Sequence, residues 1–221
     1  MRRGLIFGRS VMSAQKDPVA QFAPGGELRA AVIVSNPVLA TRTPDGQIWG
    51  VSVELAHALA VKLGLPVRLI PYENPARYSE TLGKDEWDGA RGRHPSRAEY
   101  LAFSDIFMEL DNGYLGRPGQ ALKPAEEVDR PGVKVAVAQG SAPDGFLTRT
   151  LKNAEIVRVP GGLAPAREAL SSGKVDVYGE NLQIAHGIAE QLPGATILEG
   201  RFNVVMMSIG VPSPRRALCQ S

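Results

Sequence analysis

The sequence predicts a two-lobed α/β protein, and three observations carry that expectation. Short β-rich runs alternate with helical patterns from Glu27 onward, the alternation comes in two series, and long extended segments join the series. Alternation of this kind places helices over mostly parallel sheets. A chain of 221 residues can bury one large core or two lobes of roughly 100 residues each.

In the first series, residues 28–34 (LRAAVIV) read as a strand. Residues 51–63 place Val51, Leu55, Leu59 and Leu63 four apart, an apolar helical stripe that Gly64 closes. A strand is expected over 67–71, a short helix over 76–82, and a brief strand at Trp87-Asp88. Ser96 is expected to cap a helix running to Ala102. Residues 107–119 form a crossing segment. The second series has strands at 134–138, 155–159 and 175–178, with helices at 144–151, 163–170 and 182–192. Residues 196–211 form a long extended run that contains Gly200 and Gly210.

Composition excludes several classes of function. Hydrophobic residues make up 43% and charged residues 22%, near globular averages, and the net charge of +2 comes from dispersed residues. No basic strip is interleaved with aromatics, so no nucleic-acid partner is expected. One cysteine, Cys219, and three scattered histidines argue against a zinc site, and no cofactor is expected. No apolar run approaches the 18 or so residues that span a bilayer, so a soluble chain is expected. Arg2-Arg3 followed by Gly4-Leu5-Ile6-Phe7 begins like an export signal, which Arg9 interrupts. Residues 1–26 are therefore read as a flexible leader.

In open α/β sheets a ligand sits beyond the carboxyl ends of strands and at helix N-termini. The loops after Val34, Asp88, Ala138 and Tyr178 are thus the places to search. Asn36, in Ser35-Asn36-Pro37-Val38, offers a donor and an acceptor, although Asn-Pro is also a common turn. Arg91, Arg93 and Arg97, with His94, crowd one helix start, where a guanidinium can clamp a carboxylate; a solvated basic loop is the plainer reading. Gly140 and Ser141 offer an amide and a hydroxyl at a strand-to-helix turn, or simply a helix cap. Glu180 could receive an ammonium group, and Asn181 could do so or cap the following helix. His57 and His186 have no carboxylate or serine partner in sequence, which leaves a catalytic triad unsupported.

The order of these segments resembles the extracellular solute-binding proteins of family 3, which serve amino-acid ABC transporters. Four stretches carry the resemblance. Asp45-Gly46 through Gly50 to Glu54-Leu55-Ala56 is similar to the family's "DGxxxGxxxDLA". Trp87-Asp88 through Pro95-Ser96-Arg97 to Phe103-Ser104 is similar to its "WD…(T/P)xxR…FS". Residues 135–141 resemble the "VgvqxGt" strand and turn, and Gly173-Lys174-Val175-Asp176 the "GkvDa" strand. The match covers about residues 27–212.

The resemblance implies the type II periplasmic-binding-protein architecture: two lobes, each a mostly parallel sheet flanked by helices, joined by two crossing hinge strands. Lobe 1 would span 27–112, lobe 2 113–198, and the chain would return to lobe 1 over 199–221. It implies capture of an amino acid or related small carboxylate in the interlobe cleft, without catalysis, for uptake through an ABC permease. Arg97 falls where the family's arginine holds the ligand α-carboxylate, and Gly140 and Ser141 where lobe 2 adds amide and hydroxyl contacts. Asn181 stands where amino-acid binders place an aspartate for the ammonium, so Glu180 would have to substitute. The extra arginines suggest an anion richer in carboxylate than a simple zwitterion. A periplasmic or secreted location would follow from the family, with a cytoplasmic one as the alternative given the weak signal. The family's final helix on lobe 1 is replaced here by a short Ser-Pro-Arg-Arg tail, which predicts exposed apolar surface on lobe 1. Alternatives are a cyclohexadienyl dehydratase-like enzyme on the same fold and a ligand-sensing module.

Overall fold

The computed structural model describes residues 18–91 and 101–212. A short helix, α1 (Pro18–Phe22), precedes β1 (Leu28–Ile33), and a small antiparallel sheet follows from β2 (Ser35–Asn36), β3 (Ala40–Arg42) and β4 (Ile48–Trp49). Helix α2 (Val51–Leu63) then returns the chain to β5 (Val67–Tyr72), which pairs parallel with β1. This right-sized crossover is the βαβ unit that the sequence predicts. Gly64 closes α2 in the left-handed conformation, φ 66°, where a residue with a Cβ would be strained.

The face that α2 buries is one residue along from the predicted stripe. Ser52, Val53, Ala56 and Ala60 are buried, whereas Val51 is exposed and Leu55, Leu59 and Leu63 lie at the margin. Small side chains at these positions let the helix sit close to β1 and β5, and the larger leucines flank that contact.

Helix α3 (Pro75–Ser79) follows, capped by the Asn74 side chain on the Arg77 amide. Trp87 is buried and donates to Thr81 through its indole N–H at 2.9 Å. Gly89 bridges Ala30 on the edge of β1. Strands β6 (Ala90–Arg91) and β7 (Leu101–Phe103) flank a returning strand, β14 (Ile209–Pro212). The helix expected to run to Ala102 therefore does not reach it. Pairing with β14 wins, burying Leu101 and Ala102 against the lobe 1 core.

Strand β8 (Met108–Gly116) leaves this region and becomes the central antiparallel member of the larger sheet. Around it lie β9 (Lys134–Ala138), α4 (Ala142–Thr150), β10 (Glu155–Val159), α5 (Leu163–Ser171), β11 (Val177–Asn181), α6 (Leu182–Ala189), β12 (Thr196–Ile197) and β13 (Asn203–Met207). Strands β10, β9 and β11 are parallel, and β11, β12 and β13 pair antiparallel with β8. Alternate residues fill the two faces. Leu115, Ala136 and Tyr178 pack with α5 and α6, while Tyr114, Val135, Val137 and Val177 pack with Leu147 of α4.

The two crossing strands are β8 outward and β13 back, paired from Met108↔Met207 to Asn112↔Asn203. Where they pass, the Asn112 side-chain amide donates to the Asn203 side-chain oxygen at 2.8 Å. Residues 18–26, expected within a flexible leader, include α1. Phe22 and Ala23 are buried with Leu28, Ala60 and Val211, because lobe 1 offers apolar surface that two such residues can cover. Residues 1–17 and 213–221, the latter holding Cys219 and the altered tail, lie outside the described residues.

Candidate functional site

A cleft with a cavity volume of about 110 Å³ opens between the β1 region and the larger sheet. It lies beyond the carboxyl ends of β1, β9 and β11, where the strand order predicts it. Ile33, Ser35, Asn36, Leu39 and Pro75 line one side. Ala138, Ser141, Ala142, Pro143, Gly161 and Gly162 line the other, together with Tyr178, Glu180, Asn181 and Ile184. The crossing strands supply the floor through Leu110, Asn112, Val205 and Met207.

The two sides touch. A Cβ built on Gly161 would stand 3.1 Å from Pro75 Cδ and 3.3 Å from Ser35 Oγ; one on Gly140 would stand 3.0 Å from Ala76 Cα. Val38, in the loop after β2, packs on the opposing cluster that includes Tyr178 and Ile184. The lobes are therefore in contact across the cleft mouth, and glycine is the residue that permits the approach.

Of the six residues singled out in the sequence, Asn36, Ser141, Glu180 and Asn181 line this cleft. Arg97 lies outside the described residues, as do Arg93 and His94. Gly140 adjoins the cleft without lining it. Its N–H donates to Asp144 Oδ2 at 2.9 Å, and it sits at φ 73° against α3. Asp144 also accepts from Arg158 Nε at 3.0 Å and from the Thr148 hydroxyl. An acid of the protein thus occupies the amide that the resemblance offers to a ligand carboxylate.

The polar side chains differ in how far their bonding is committed. Ser141 Oγ accepts the Asp144 amide as the cap of α4. The Asn181 side-chain oxygen accepts from the amides of Gln183 and Ile184, so it caps α6, and its side-chain amide reaches the Asp111 carbonyl at 3.5 Å. Asn36 Oδ1 accepts the Val38 amide in an Asx turn. The plainer readings of Ser141 and Asn181 as helix caps are what these bonds describe. Both residues still face the cleft.

Glu180 stands apart. One carboxyl oxygen accepts its neighbour's amide, Asn181 N, at 2.8 Å. Among the described residues, no cation pairs with it. Loss of hydration pushes its carboxyl up to about 7, and the Asn181 amide only partly opposes the shift. Tyr178, two residues earlier and so on the same face of β11, is nearly fully buried. Its hydroxyl is pushed well above 10, first by burial and then by the Glu180 charge. The period-two spacing of Tyr178 and Glu180 was available in the sequence, but the strand runs on to Asn181 rather than ending at Tyr178. Asn112 and Pro75 carry no local motif that marks them as lining residues.

No group of three or more His, Cys, Asp or Glu side chains able to hold a metal occurs among the described residues. No described helix is long and apolar enough to cross a membrane.

No family model matches the sequence. The membrane-bound lytic murein transglycosylase F of Maricaulis maris (strain MCS10) is 28% identical over 167 residues, which covers 72% of this chain and 36% of that protein. The chain therefore spans about a third of the length of the curated relative it matches. Among solved structures, the ancestral amino acid-binding protein AncCDT-1, a precursor of cyclohexadienyl dehydratase, is 22% identical with a TM-score of 0.77, covering 92% of this chain and 89% of that one. A mutant of ArgBP from T. maritima is 20% identical with a TM-score of 0.78, over 92% and 89% of the respective chains.

Proposed function

Because the chain has the type II periplasmic-binding-protein fold, we propose that it captures an amino acid or related small carboxylate in the cleft between its lobes. One observation carries this reading: both lobes and both crossing strands line a single cavity, and the lobes meet across its mouth. A ligand held there is sequestered by closure about β8 and β13. We place the lobe boundary on those strands, near Asn112 and Asn203, close to the division at 112 and 198 expected from the sequence. Glu180 and Asn36 face the ligand, and Ser141 and Gly140 mark the α4 N-terminus beside it. Arg97 keeps the carboxylate-binding role that the resemblance assigns to it. Delivery to an ABC permease and a location outside the cytoplasm belong to the same proposal, supported by the resemblance.

The test is thermal unfolding of the purified chain against a panel of amino acids, dicarboxylates and keto acids, repeated with Arg97→Ala. A ligand at about 100 times its Kd stabilises by roughly 2.7 kcal/mol, a plain rise in midpoint. A rise with one carboxylate class that vanishes in the variant supports the reading. A cooperative transition that no carboxylate moves overturns it.

A second reading has one specific observation in its favour. A carboxyl raised to about 7 in an apolar cleft is what a general acid at neutral pH requires. On this account the chain acts on a prephenate-like ring. Glu180 would protonate the departing ring hydroxyl, which leaves as water while the carboxylate leaves as carbon dioxide. Accumulation of phenylpyruvate from prephenate, abolished in Glu180→Gln, would establish the enzyme; its absence with tight prephenate-independent amino-acid binding would exclude it.

A further inference from the structure

We propose that the ligand is an amino acid with an uncharged, apolar side chain no larger than that of leucine or methionine, its ammonium group resting on Glu180. This rests on the solute-binding reading of the same cleft and narrows it.

Charge comes first. Among the described lining residues Glu180 is the one charged side chain, and none is cationic. A single acid can neutralise a single ammonium. A ligand with a second cation, such as a basic side chain, would leave that charge unpaired among the described walls. A second carboxylate would lie near Glu180 without a partner, so the described walls oppose the dicarboxylate that the basic segment suggested.

The remaining polar capacity points the same way. The Asn112 amide is held by Asn203, the Asn181 oxygen by two amides of α6, and the Asn36 oxygen by the Val38 amide. These bonds commit three polar groups of the lining to the wall, and Ser35, Ser141 and Tyr178 add only neutral hydroxyls. The hydrocarbon of the cleft comes from Ile33, Leu39, Leu110, Ile184, Val205 and Met207. They come from β1, the loop after β2, both crossing strands and α6, so closure brings five separate segments around one apolar body.

Size sets the upper bound. At roughly 10–15 Å³ for each water-sized position, a cavity of about 110 Å³ holds on the order of ten such positions. That matches a ligand of about ten non-hydrogen atoms, the size of leucine or methionine. A charged group forced into this cleft loses its water without replacement, a penalty that corresponds to discrimination of at least about 100-fold.

The experiment is calorimetric titration of the full chain at pH 8 with L-leucine, L-methionine, L-arginine, L-glutamate and 4-methyl-2-oxopentanoate, the leucine analogue lacking the ammonium. Leucine or methionine binding at least about 100-fold tighter than arginine and glutamate, and clearly tighter than the keto acid, is the expected result. In Glu180→Gln the preference for leucine over the keto acid should shrink about tenfold or more. The panel on the unmodified chain decides the ligand class even if that variant folds poorly. Tightest binding of arginine or glutamate overturns the class and leaves the solute-binding reading standing. Equal binding of leucine and its keto acid overturns the role given to Glu180. A cooperatively folded chain that binds none of the five overturns both this inference and the reading beneath it.

Discussion

Asp88 of lobe 1, just before β6, and Glu180 of lobe 2, near the end of β11, are two acids treated in opposite ways. In lobe 1, Asp88 is 0% exposed. It accepts the Arg29 backbone amide at 2.9 Å, Arg29 Nε at 3.2 Å and Arg29 Nη2 at 2.9 Å. The same guanidinium reaches Asp85, and these acids, Asp88 foremost, hold Arg29 above its usual range. In lobe 2, Glu180 has one backbone amide and, among the described residues, no cation. The cost of removing a charge from water is met locally for Asp88 and left outstanding for Glu180. A fully paired acid ties β1 to the Trp87-Asp88 turn, whereas an acid left short of partners can accept one from outside. On the function proposed above, the contrast separates a structural carboxylate, Asp88, from the one proposed to meet the ligand, Glu180.

The largest expected effect breaks the lobe 1 side of that contrast. Asp88→Ala removes three bonds from Arg29, leaving its guanidinium with Asp85 alone, and should destabilise the chain by about 3 kcal/mol. The urea midpoint should fall with little change in slope if the lobes unfold together. A second, earlier transition would show that lobe 1 unfolds by itself.

Leu147→Ala sharpens the comparison from the lobe 2 side. Leu147 is 1% exposed and fills the space above Gly179, with Cδ1 only 2.8 Å from where a Cβ there would lie. Its loss should cost about 2–4 kcal/mol through the cavity it leaves, measured by the same denaturation. Ligand affinity should change far less than stability, because Leu147 packs on the sheet face away from Tyr178.

Glu180→Gln should act in the opposite direction to Asp88→Ala. The folded carboxyl is raised from 4.5 to about 7. Between those values the folded chain holds a proton that the unfolded chain has released, so stability is fully present below about 4.5, falls as pH rises and levels off above about 7. The glutamine variant lacks this slope. At pH 8 it should be more stable than the parent by roughly 1–3 kcal/mol, and at pH 4 the two should agree. Equal stability of the pair from pH 4 to 8 would show that Glu180 has a partner in solution, and the contrast with Asp88 would fail.

How much of this was legible in the sequence follows from the range of each interaction. Helix α2 and its Gly64 stop were legible because periodicity and a glycine cap are local signals. So was the placement of the cleft, since β1 and β9 end where their loops were searched, although β11 runs three residues past Tyr178. The capping bonds of Asn181 and Ser141, the plainer alternative to the ligand-binding role expected for each, were legible because capping is a contact over two or three residues. Asp88 was quoted for its motif, but its partner Arg29 is 59 positions away, and no spacing rule reaches that far. Leu101 and Ala102 were expected in a helix and instead pair with Val211 and Pro212, a contact set by the far end of the chain. The apolar character of the cleft was hidden for the same reason. Its apolar walls come from five segments, while the basic segment around Arg97 is contiguous and draws the eye.

The smallest expected effect on stability isolates closure from folding. Gly161 has no left-handed backbone requirement, so alanine there costs little in an open molecule and can stabilise by about 0.5 kcal/mol through the unfolded chain. In the closed form its methyl meets Pro75 and Ser35 at 3.1 and 3.3 Å, tighter than ordinary contact. Gly161→Ala should therefore leave the unliganded unfolding midpoint nearly unchanged and weaken ligand binding several-fold, on the order of 1 kcal/mol in the closure equilibrium. Gly140→Ala is the control. Its φ of 73° strains any residue with a Cβ, by about 1–2 kcal/mol, so it should lower the midpoint and the affinity together. Small-angle scattering of Gly161→Ala with saturating ligand should give a larger radius of gyration than the parent. If affinity and radius both match the parent, the lobes do not meet at Gly161 when ligand is bound, and the contact across the cleft mouth is incidental to capture.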